Sequence, residues 1–310
     1  MYDNLDFKLN INEVKGVDFL SETPQYFDVT GQHCFNGANV ITGNLKGFRI
    51  SVSERGVNLK DGSLCKYYLG DNFQTLGRGD TKQAIEMLSD TLHLPLHKAT
   101  VTRIDIAQNY IVKHPTSVYF NHLGNCMFNE RLVQPDGLYY KNSSGLLVFY
   151  DKVKEQKAKG QIIPELYNNR NTLRYEMRHK VRIKNTFKVE RVTAEMLYNE
   201  TFYRNIIDQW HKAYTDIQKI NDVSLNFEAM KTKKDLYLMG LVSLIDQQGG
   251  EIAIKQQINE AYKKGSLSRK QKFDLFNAIS EAGKATIATI QSDVIQELDK
   301  KINESVKSYR

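Results

Sequence analysis

The stretch Thr172-Leu-Arg174-Tyr-Glu176-Met-Arg178 decides the fold class, because apolar and charged residues alternate along it. Successive side chains of a β-strand point to opposite faces of a sheet. Arg174, Glu176 and Arg178 therefore share one face, and the leucine, tyrosine and methionine between them share the other. The stretch predicts a strand with an apolar face turned to a core and a charged face turned away from it.

Two earlier stretches have the same pattern. One places Arg103 and Asp105 opposite two isoleucines. The other begins at Leu147 and places Tyr150 and Lys152 opposite a leucine and a phenylalanine. If the three strands are neighbours in one sheet, their shared face carries carboxylates, a tyrosine, a lysine and several arginines. These are the residue types that phosphoryl transfer uses.

The remainder of the N-terminal half contains more short alternating stretches, separated by glycine and asparagine turns. Strands are predicted over residues 5–9, 47–52, 63–68, 100–110, 146–152 and 172–182. A capping box that begins at Asp80 predicts a helix from about Thr81 to Leu92. The charged stretch from Val153 to Lys159 is also compatible with a helix.

Beyond about residue 190 the spacing of apolar residues becomes helical. Helices are predicted over residues 194–220, 234–245, 252–263 and 268–282. We therefore expect an α+β fold. A mainly antiparallel sheet with flanking helices would occupy residues 1–190, and an all-α region would occupy residues 191–310.

The composition excludes several classes of protein. The three cysteines have neither disulfide-framework nor zinc-knuckle spacing. The longest apolar run, from Leu236 to Ile245, is too short to cross a bilayer, so we expect no membrane partner and a cytoplasmic location. From Lys141 to Arg191 there are 13 Lys and Arg against 5 Asp and Glu. This local excess favours a polyanionic partner.

The predicted charged face allows two interpretations. Asp105 and Glu176 offer the oxygen ligands that Mg²⁺ or Mn²⁺ prefers, and Tyr150 could attack a phosphate as a nucleophile, with Lys152 to stabilise the phenolate or hold the phosphate. The same carboxylates could equally form cross-strand ion pairs with arginines. Spacing alone also leaves other tyrosines open as the nucleophile, namely Tyr139, Tyr140 and Tyr175.

Four short motifs follow one another along the N-terminal half. They are Ser63-x-x-Lys66-x-x-x-Gly70-x-Asn72, Thr102-Arg103-Ile104-Asp105, Leu147-Val-x-Tyr150-x-Lys152-x-x-Glu155 and Leu173-Arg174-Tyr175-Glu176-x-Arg178. In this order, residues 45–190 resemble the filamentous-phage replication initiators known as the gene II family. They resemble more loosely the rolling-circle initiators of small staphylococcal plasmids.

The resemblance implies an enzyme that nicks one DNA strand at a replication origin. Tyr150 falls on the family's nicking tyrosine, which keeps the 5′ phosphate and leaves a free 3′ hydroxyl. Asp105 and Glu176 fall on implied metal ligands, and Glu155 is a candidate third. Most rolling-circle nickases carry a His-hydrophobic-His metal motif, which none of the seven histidines here forms. The resemblance therefore implies a carboxylate-bound Mg²⁺ or Mn²⁺.

The expected partner is single-stranded or melted DNA at an origin in a bacterial host, with the host helicase and polymerase beside it. Candidate DNA-binding residues are Arg103, Arg174, Arg178, Lys66, Lys180 and Lys184. Residues 191–310 would bind the origin or self-associate. Two rival functions stay open: a metal-dependent nuclease that uses water and forms no covalent intermediate, and a DNA-binding replication protein without catalysis.

Overall fold

The computed structural model describes residues 1–14, 16–181, 183–220, 222–223, 231–284, 289–290 and 292–310. The strands are β1 (Tyr2–Asn10), β2 (Asp28–Phe35), β3 (Ala38–Leu45), β4 (Phe48–Ser53), β5 (Gly56–Ser63), β6 (Thr100–Ile111), β7 (Leu123–Cys126), β8 (Glu130–Gln134), β9 (Gly137–Lys141), β10 (Gly145–Asp151), β11 (Thr172–His179), β12 (Ile217–Lys219), β13 (Asp222–Val223) and β14 (Thr289–Ile290).

The helices are α1 (Phe19–Glu22), α2 (Leu64–Leu69), α3 (Arg78–Leu92), α4 (Thr116–His122), α5 (Lys152–Ala158), α6 (Ile183–Phe187), α7 (Glu200–Thr215), α8 (Lys233–Gln247), α9 (Glu251–Lys263), α10 (Arg269–Lys284) and α11 (Asp293–Tyr309). Short 3₁₀ turns occupy Ile11–Glu13, Thr23–Tyr26, Leu96–Lys98, Glu165–Tyr167 and Ala194–Tyr198.

Within the described residues, one large antiparallel sheet has the strand order β2-β3-β4-β5-β1-β6-β11-β10-β9-β8. The three strands with charged faces are neighbours, as the prediction requires. Arg178 of β11 lies opposite Asp105 of β6, and Arg174 lies opposite Tyr150 of β10. The predicted α+β class with a mainly antiparallel sheet is confirmed.

The apolar faces of the same strands form the core. The ring of Tyr175 stacks on Phe149 with centroids 4.6 Å apart, and on Trp210 of α7 at 4.9 Å. The hydroxyl of Tyr175 donates to the carbonyl oxygen of Trp210 at 2.9 Å, so this buried polar group is satisfied. Stacked aromatic pairs add to the stabilisation that burial itself provides. The stack thus fixes α7 to the centre of the sheet.

Helix α11 also packs on the core of the sheet, because Ile295, Leu298 and Ile302 are fully buried in the same cluster. A second, smaller cluster joins α8, α9 and α10 through residues such as Val242 and Ile258. The division of the chain into parts 1–190 and 191–310 stays a prediction.

One sequence expectation for local structure near the sheet was wrong, and a second, the helix from about Thr81 to Leu92, is confirmed with an earlier start. Residues 64–69 form α2 instead of continuing a strand, because the hydroxyl of Ser63 accepts from the backbone N–H of Lys66 and caps a helix. Helix α3 begins at Arg78 rather than Thr81, because Asp80 accepts from the backbone N–H of Gly77 and so closes the first turn earlier.

In the helical part, the predicted helix over residues 194–220 is interrupted. A 3₁₀ turn precedes α7, and β12 follows it. The strand expected over 172–182 ends at His179. Helix α11 was not predicted, although its apolar spacing from Val294 to Ile302 carries the signal of an amphipathic helix.

Glycine at position 62 is required by the packing of the sheet. A Cβ added there would lie 2.1 Å from the ring of Phe48. We expect Gly62→Ala to lower the free energy of unfolding by about 1–3 kcal/mol, because the ring has to move within a closely packed core. Gly79→Ala is the matched control, since a Cβ there meets nothing within 4 Å. Urea unfolding followed by the fluorescence of Trp210 measures both, and equal stabilities would contradict the expectation.

Candidate active site

The charged face of β11 and β10 borders a cavity of about 730 Å³, whereas Arg103 and Asp105 of β6 are not among the described residues that line it. Tyr150, Lys152, Glu155, Glu176 and Arg178 all line it. Residues outside the predicted set line it too, among them Asp3, Ser63, Asn72 and Tyr139. The sheet therefore brings together most of the side chains that the sequence singled out.

Glu176 lies at the centre of this group. Its carboxylate accepts from Nε of Arg178 at 2.9 Å and from Nε of Arg174 at 3.5 Å. The hydroxyl of Tyr150 donates to Oε2 of Glu176 at 3.4 Å. Burial raises the pKa of Tyr150 well above 10; Arg174 opposes the rise and Glu176 adds to it. The phenol is therefore protonated at neutral pH and needs help to react.

Asp105 is fully buried, and its two carboxylate oxygens each accept from Nε of Arg103 at 3.0 Å. Burial raises the pKa of Asp105 to about 7; the charge of Glu176 adds to the rise, while the bonds from Arg103 oppose it. Glu176 is the diagonal neighbour of Asp105, because Arg178 lies directly opposite Asp105 and Glu176 lies two residues earlier.

The prediction that Lys152 shares a strand face with Tyr150 was wrong. Strand β10 ends at Asp151, whose side chain accepts from the backbone N–H of Lys154 and starts α5. Lys152 nevertheless reaches the same cavity from the first position of that helix. Burial lowers the pKa of its ammonium to about 8, and the charge of Arg174 contributes. This lysine can exchange a proton near neutral pH.

Glu155, the candidate third ligand, accepts hydrogen bonds from three side chains of its own chain. Its carboxylate accepts from Lys152 at 3.0 Å, from Gln156 at 2.7 Å and from Lys159. Burial alone would raise the pKa of Glu155, but these three groups outweigh it and hold the pKa at about 2. A role for Glu155 as a metal ligand stays a prediction.

Asp3 is a site residue that the sequence reading missed. Strand β1 changes register between Tyr2 and Leu5, and this bulge lets Asp3 join the charged face while Tyr2 and Leu5 enter the core. Its carboxylate accepts from Arg174 and from Nδ2 of Asn72 at 3.2 Å. Burial disfavours the charge, yet these groups and Ser63 lower the pKa of Asp3. A one-residue bulge leaves no signal in the alternation.

The structure separates the competing tyrosines. Tyr140 and Tyr175 are buried on the opposite, apolar face, where their hydroxyls donate to backbone carbonyls. Tyr139 lines the same cavity as Tyr150, and its hydroxyl donates to Asp136 at 3.1 Å. Of the four tyrosines compared, Tyr139 and Tyr150 therefore remain as candidate nucleophiles.

The predicted DNA-binding residues fall into three positions. Arg174 is buried behind the cavity wall, where its Nη1 donates to Asn109 at 3.1 Å. Arg178 is partly exposed in the cavity, and Lys66 lies at the same cavity with its Nζ on Gln161 at 2.9 Å. Arg103 is buried and holds Asp105. The two remaining lysines, Lys180 and Lys184, are exposed near the end of β11. Their contact with DNA stays a prediction.

Asp105 and Glu176 are the donor type that a divalent cation prefers, but Asp105 is fully buried outside the cavity lining and both of its oxygens accept from Arg103. A cation that bound both carboxylates would replace Arg103 at Asp105. Mg²⁺ binds through one or two carboxylates and takes its remaining ligands from water and substrate phosphate. The charge of Glu176 helps to raise the pKa of Asp105, and a cation near both would relieve that repulsion. Across the described part of the chain, no three His, Cys, Asp or Glu side chains converge as a ready-made metal site.

Comparison with known proteins identifies the family. The family model for the N-terminal part of the gene II replication-associated protein of filamentous phage matches residues 1–212. The chain belongs to this family. The resemblance to the gene II initiators is thereby confirmed, and membership supports a role as a rolling-circle replication initiator with DNA as its partner.

No curated protein matches the chain. None of the helices in the described ranges has the length and apolar character needed to cross a bilayer.

The raised pKa of Asp105 predicts how cation binding and stability depend on pH. Its folded-state pKa of about 7 exceeds its ordinary 3.8, so the metal-free chain should lose stability as the pH rises from 3.8 to about 7. A divalent cation needs the deprotonated carboxylate. Mg²⁺ at a hundred times its Kd should therefore stabilise the chain by about 2–3 kcal/mol at pH 8 and much less at pH 6.

Thermal unfolding with and without Mg²⁺ measures this effect. Asp105→Asn keeps the shape of the side chain and should abolish both the cation-dependent shift and the loss of stability above pH 4. An equal Mg²⁺ shift in wild type and Asp105→Asn would remove this residue from the cation site.

Proposed function

We propose that this chain nicks one DNA strand at an origin by attack of Tyr150 on the scissile phosphate. The observation that carries the proposal is the position of the Tyr150 hydroxyl, which lies in the cavity and donates to Glu176 beside Arg178. The proposed nucleophile Tyr150, the proposed proton acceptor Glu176 and the proposed phosphate-binding Arg178 thus line one cavity. Family membership supports the same role in replication.

The cavity supplies a place for the phosphate. Arg178 is partly exposed there, and its pKa is raised: burial opposes the charge, but the carboxylates of Glu176 and Asp105 favour it more strongly. A permanently charged guanidinium can bind two phosphate oxygens at once. The scissile phosphate would bind between Arg178 and the hydroxyl of Tyr150.

The proposed reaction exchanges one phosphoester bond for another. The oxygen of Tyr150 bonds to phosphorus, the bond from phosphorus to the 3′ oxygen breaks, and the phenol proton passes to Glu176. The 3′ oxygen leaves with a proton from Lys152, whose pKa of about 8 suits donation near neutral pH. The products are a 5′-phosphotyrosyl bond and a free 3′ hydroxyl.

Asp105 and Glu176 would hold Mg²⁺ or Mn²⁺, which when bound neutralises charge on the phosphate oxygens. The buried arginines support these carboxylates from behind. Arg174 is held by Asp3, Asn72 and Asn109, so its guanidinium is a fixed positive charge under Tyr150 and Glu176. Such fixed charges stabilise a transition state without reorganising during the reaction.

Non-catalytic DNA binding is the second candidate, and one observation favours it. The carboxylates on the charged face are paired with cations in the structure, as Asp105 is with Arg103 and Glu176 is with Arg178. A hydrolytic nuclease that uses water is a third. Chelation by EDTA would stop either enzyme and would leave DNA binding alone unaffected, so it separates these candidates.

The proposed partners include host helicase and polymerase, and residues 191–310 are proposed to bind the origin or self-associate.

The first prediction of this proposal concerns the covalent intermediate. Wild type incubated with an origin-bearing single strand and Mg²⁺ or Mn²⁺ should form a protein–DNA adduct that survives a denaturing gel. Tyr150→Phe should lower the yield of adduct at least about a thousandfold, because the nucleophile is removed. Tyr139→Phe is the matched control, since it lines the same cavity, and it should retain the adduct. An adduct that persists in Tyr150→Phe and disappears in Tyr139→Phe would reassign the nucleophile.

The second prediction concerns the surface that binds the strand. Lys180 and Lys184 are exposed, and each phosphate contact to a single strand contributes about 0.7 to the slope of log affinity against log salt. Neutralising both as Lys180→Gln and Lys184→Gln should flatten the slope by about 1.4. The control pair Lys82→Gln and Lys300→Gln lies on α3 and α11 and should leave it unchanged. If only the control pair flattens the slope, the strand binds elsewhere.

A further inference from the structure

A second cavity, of about 560 Å³, lies on the side of the sheet opposite the candidate active site. It opens between the ends of β10 and β11, the segment 126–129 and helix α7. Leu147, Met177 and Ala213 supply apolar walls, and the tyrosine mechanism uses none of them. Its size is that of cavities that bind small organic groups. We call it the His179 cavity.

His179 gives this cavity an unsatisfied polar group. The side chain is 8% exposed, and among the described residues neither ring nitrogen has a hydrogen-bond partner. Leaving buried polar atoms unpaired is costly, so such groups in native proteins require an explanation. Burial lowers the pKa of His179 to about 4, so the ring is neutral and offers one donor and one acceptor.

Phe128 lines the same cavity and is unusual in two respects. Its side chain is 88% exposed, and its backbone is left-handed with φ of 63°. That conformation is a genuine outlier for a bulky residue, and strain of this kind clusters at functional sites. An exposed aromatic ring beside an apolar cavity provides a surface on which a flat ring can stack.

The residues next to His179 in the chain indicate what kind of molecule carries the flat ring. Exposed Lys180 directly follows His179, and exposed Lys184 is the second residue of α6; neither is among the described residues that line the cavity. Arg178, the residue before His179, faces the other cavity with Tyr150. Adjacent residues of one strand thus serve the two cavities. A flat hydrogen-bonding ring carried on an anionic chain fits this arrangement, and a base of single-stranded DNA is such a ring.

We propose that the His179 cavity binds one unpaired nucleobase of the DNA strand. The base stacks on Phe128 and pairs with the ring nitrogens of His179, while the strand that carries it passes Lys180, which lies close enough to Asp61 of the first cavity to help lower the pKa of that carboxyl. Base–aromatic stacking of this kind is how proteins hold single-stranded nucleic acid. The proposal rests on the DNA-binding part of the proposed function and requires no cleavage.

Photo-crosslinking tests the proposal. The full chain carrying Tyr150→Phe is mixed with a single strand in which 5-iodouracil replaces thymine, in EDTA, and irradiated. Mass spectrometry should find the adduct on Phe128 or His179. A second arm uses free 5-iodo-deoxyuridine monophosphate in place of the strand. If the cavity binds a base that is part of a strand, the strand should crosslink at a far lower concentration than the free nucleotide. Crosslinking of the free nucleotide alone would overturn the proposal.

Affinity measurements complete the test. Phe128→Ala should weaken binding of the single strand about tenfold, because stacking on the ring is lost. His179→Leu keeps the cavity filled but removes both ring nitrogens, and it should weaken binding several-fold, whereas His179→Gln should retain part of the affinity. Phe35→Ala is the matched control, since Phe35 is an exposed phenylalanine on β2.

The result that overturns the proposal is wild-type affinity in both Phe128→Ala and His179→Leu, with thermal unfolding showing that both are folded. Because the background is Tyr150→Phe throughout, this failure is distinct from failure of the nicking mechanism. A chain that never forms a covalent adduct can still bind a base here, and a chain that does form one can lack the base site.

Discussion

The burial of the Arg174 guanidinium is the constraint on which the charged face depends. A buried charge is tolerated only when it is paired and its donors are satisfied. Asp3, Asn72 and Asn109 meet that requirement from β1, the loop after α2, and β6. These segments are far apart in the sequence, so one side chain ties them together. Removing a partner would leave a charge unpaired inside the protein, which is more costly than losing a surface ion pair.

Alternate residues of β11 face opposite sides of the sheet and have different roles. Tyr175 stacks between Phe149 and Trp210 in the core, while on the other side Glu176 lines the cavity and Arg174 is buried behind its wall. A one-residue slip in register would put charges into the core and aromatic rings into the cavity. The apolar stack therefore protects the geometry of the site, and packing and proposed chemistry are two consequences of the same alternation.

Much of this face could be predicted from the sequence, because strand alternation is a local rule. It placed Arg103 with Asp105 and Glu176 with Arg178 before their neighbours were known. The alternation rule failed for Lys152, because the strand ends at Asp151, whose side chain caps a helix. It missed Asp3, because a bulge reverses the alternation without changing composition. The ring nitrogens of His179, which have no hydrogen-bond partner in the described part of the chain, could not be predicted either, because the surroundings of a buried ring depend on the fold.

The most direct test of the charged face is a crystal structure of Tyr150→Phe bound to an origin single strand and Mn²⁺, with anomalous scattering used to locate the metal. We expect Mn²⁺ at about 2–2.5 Å from carboxylate oxygens of both Asp105 and Glu176, with the scissile phosphate beside residue 150 and Arg178. A strand bound on another surface, with Asp105 and Glu176 still paired only to arginines and the Mn²⁺ elsewhere, would contradict the proposed site.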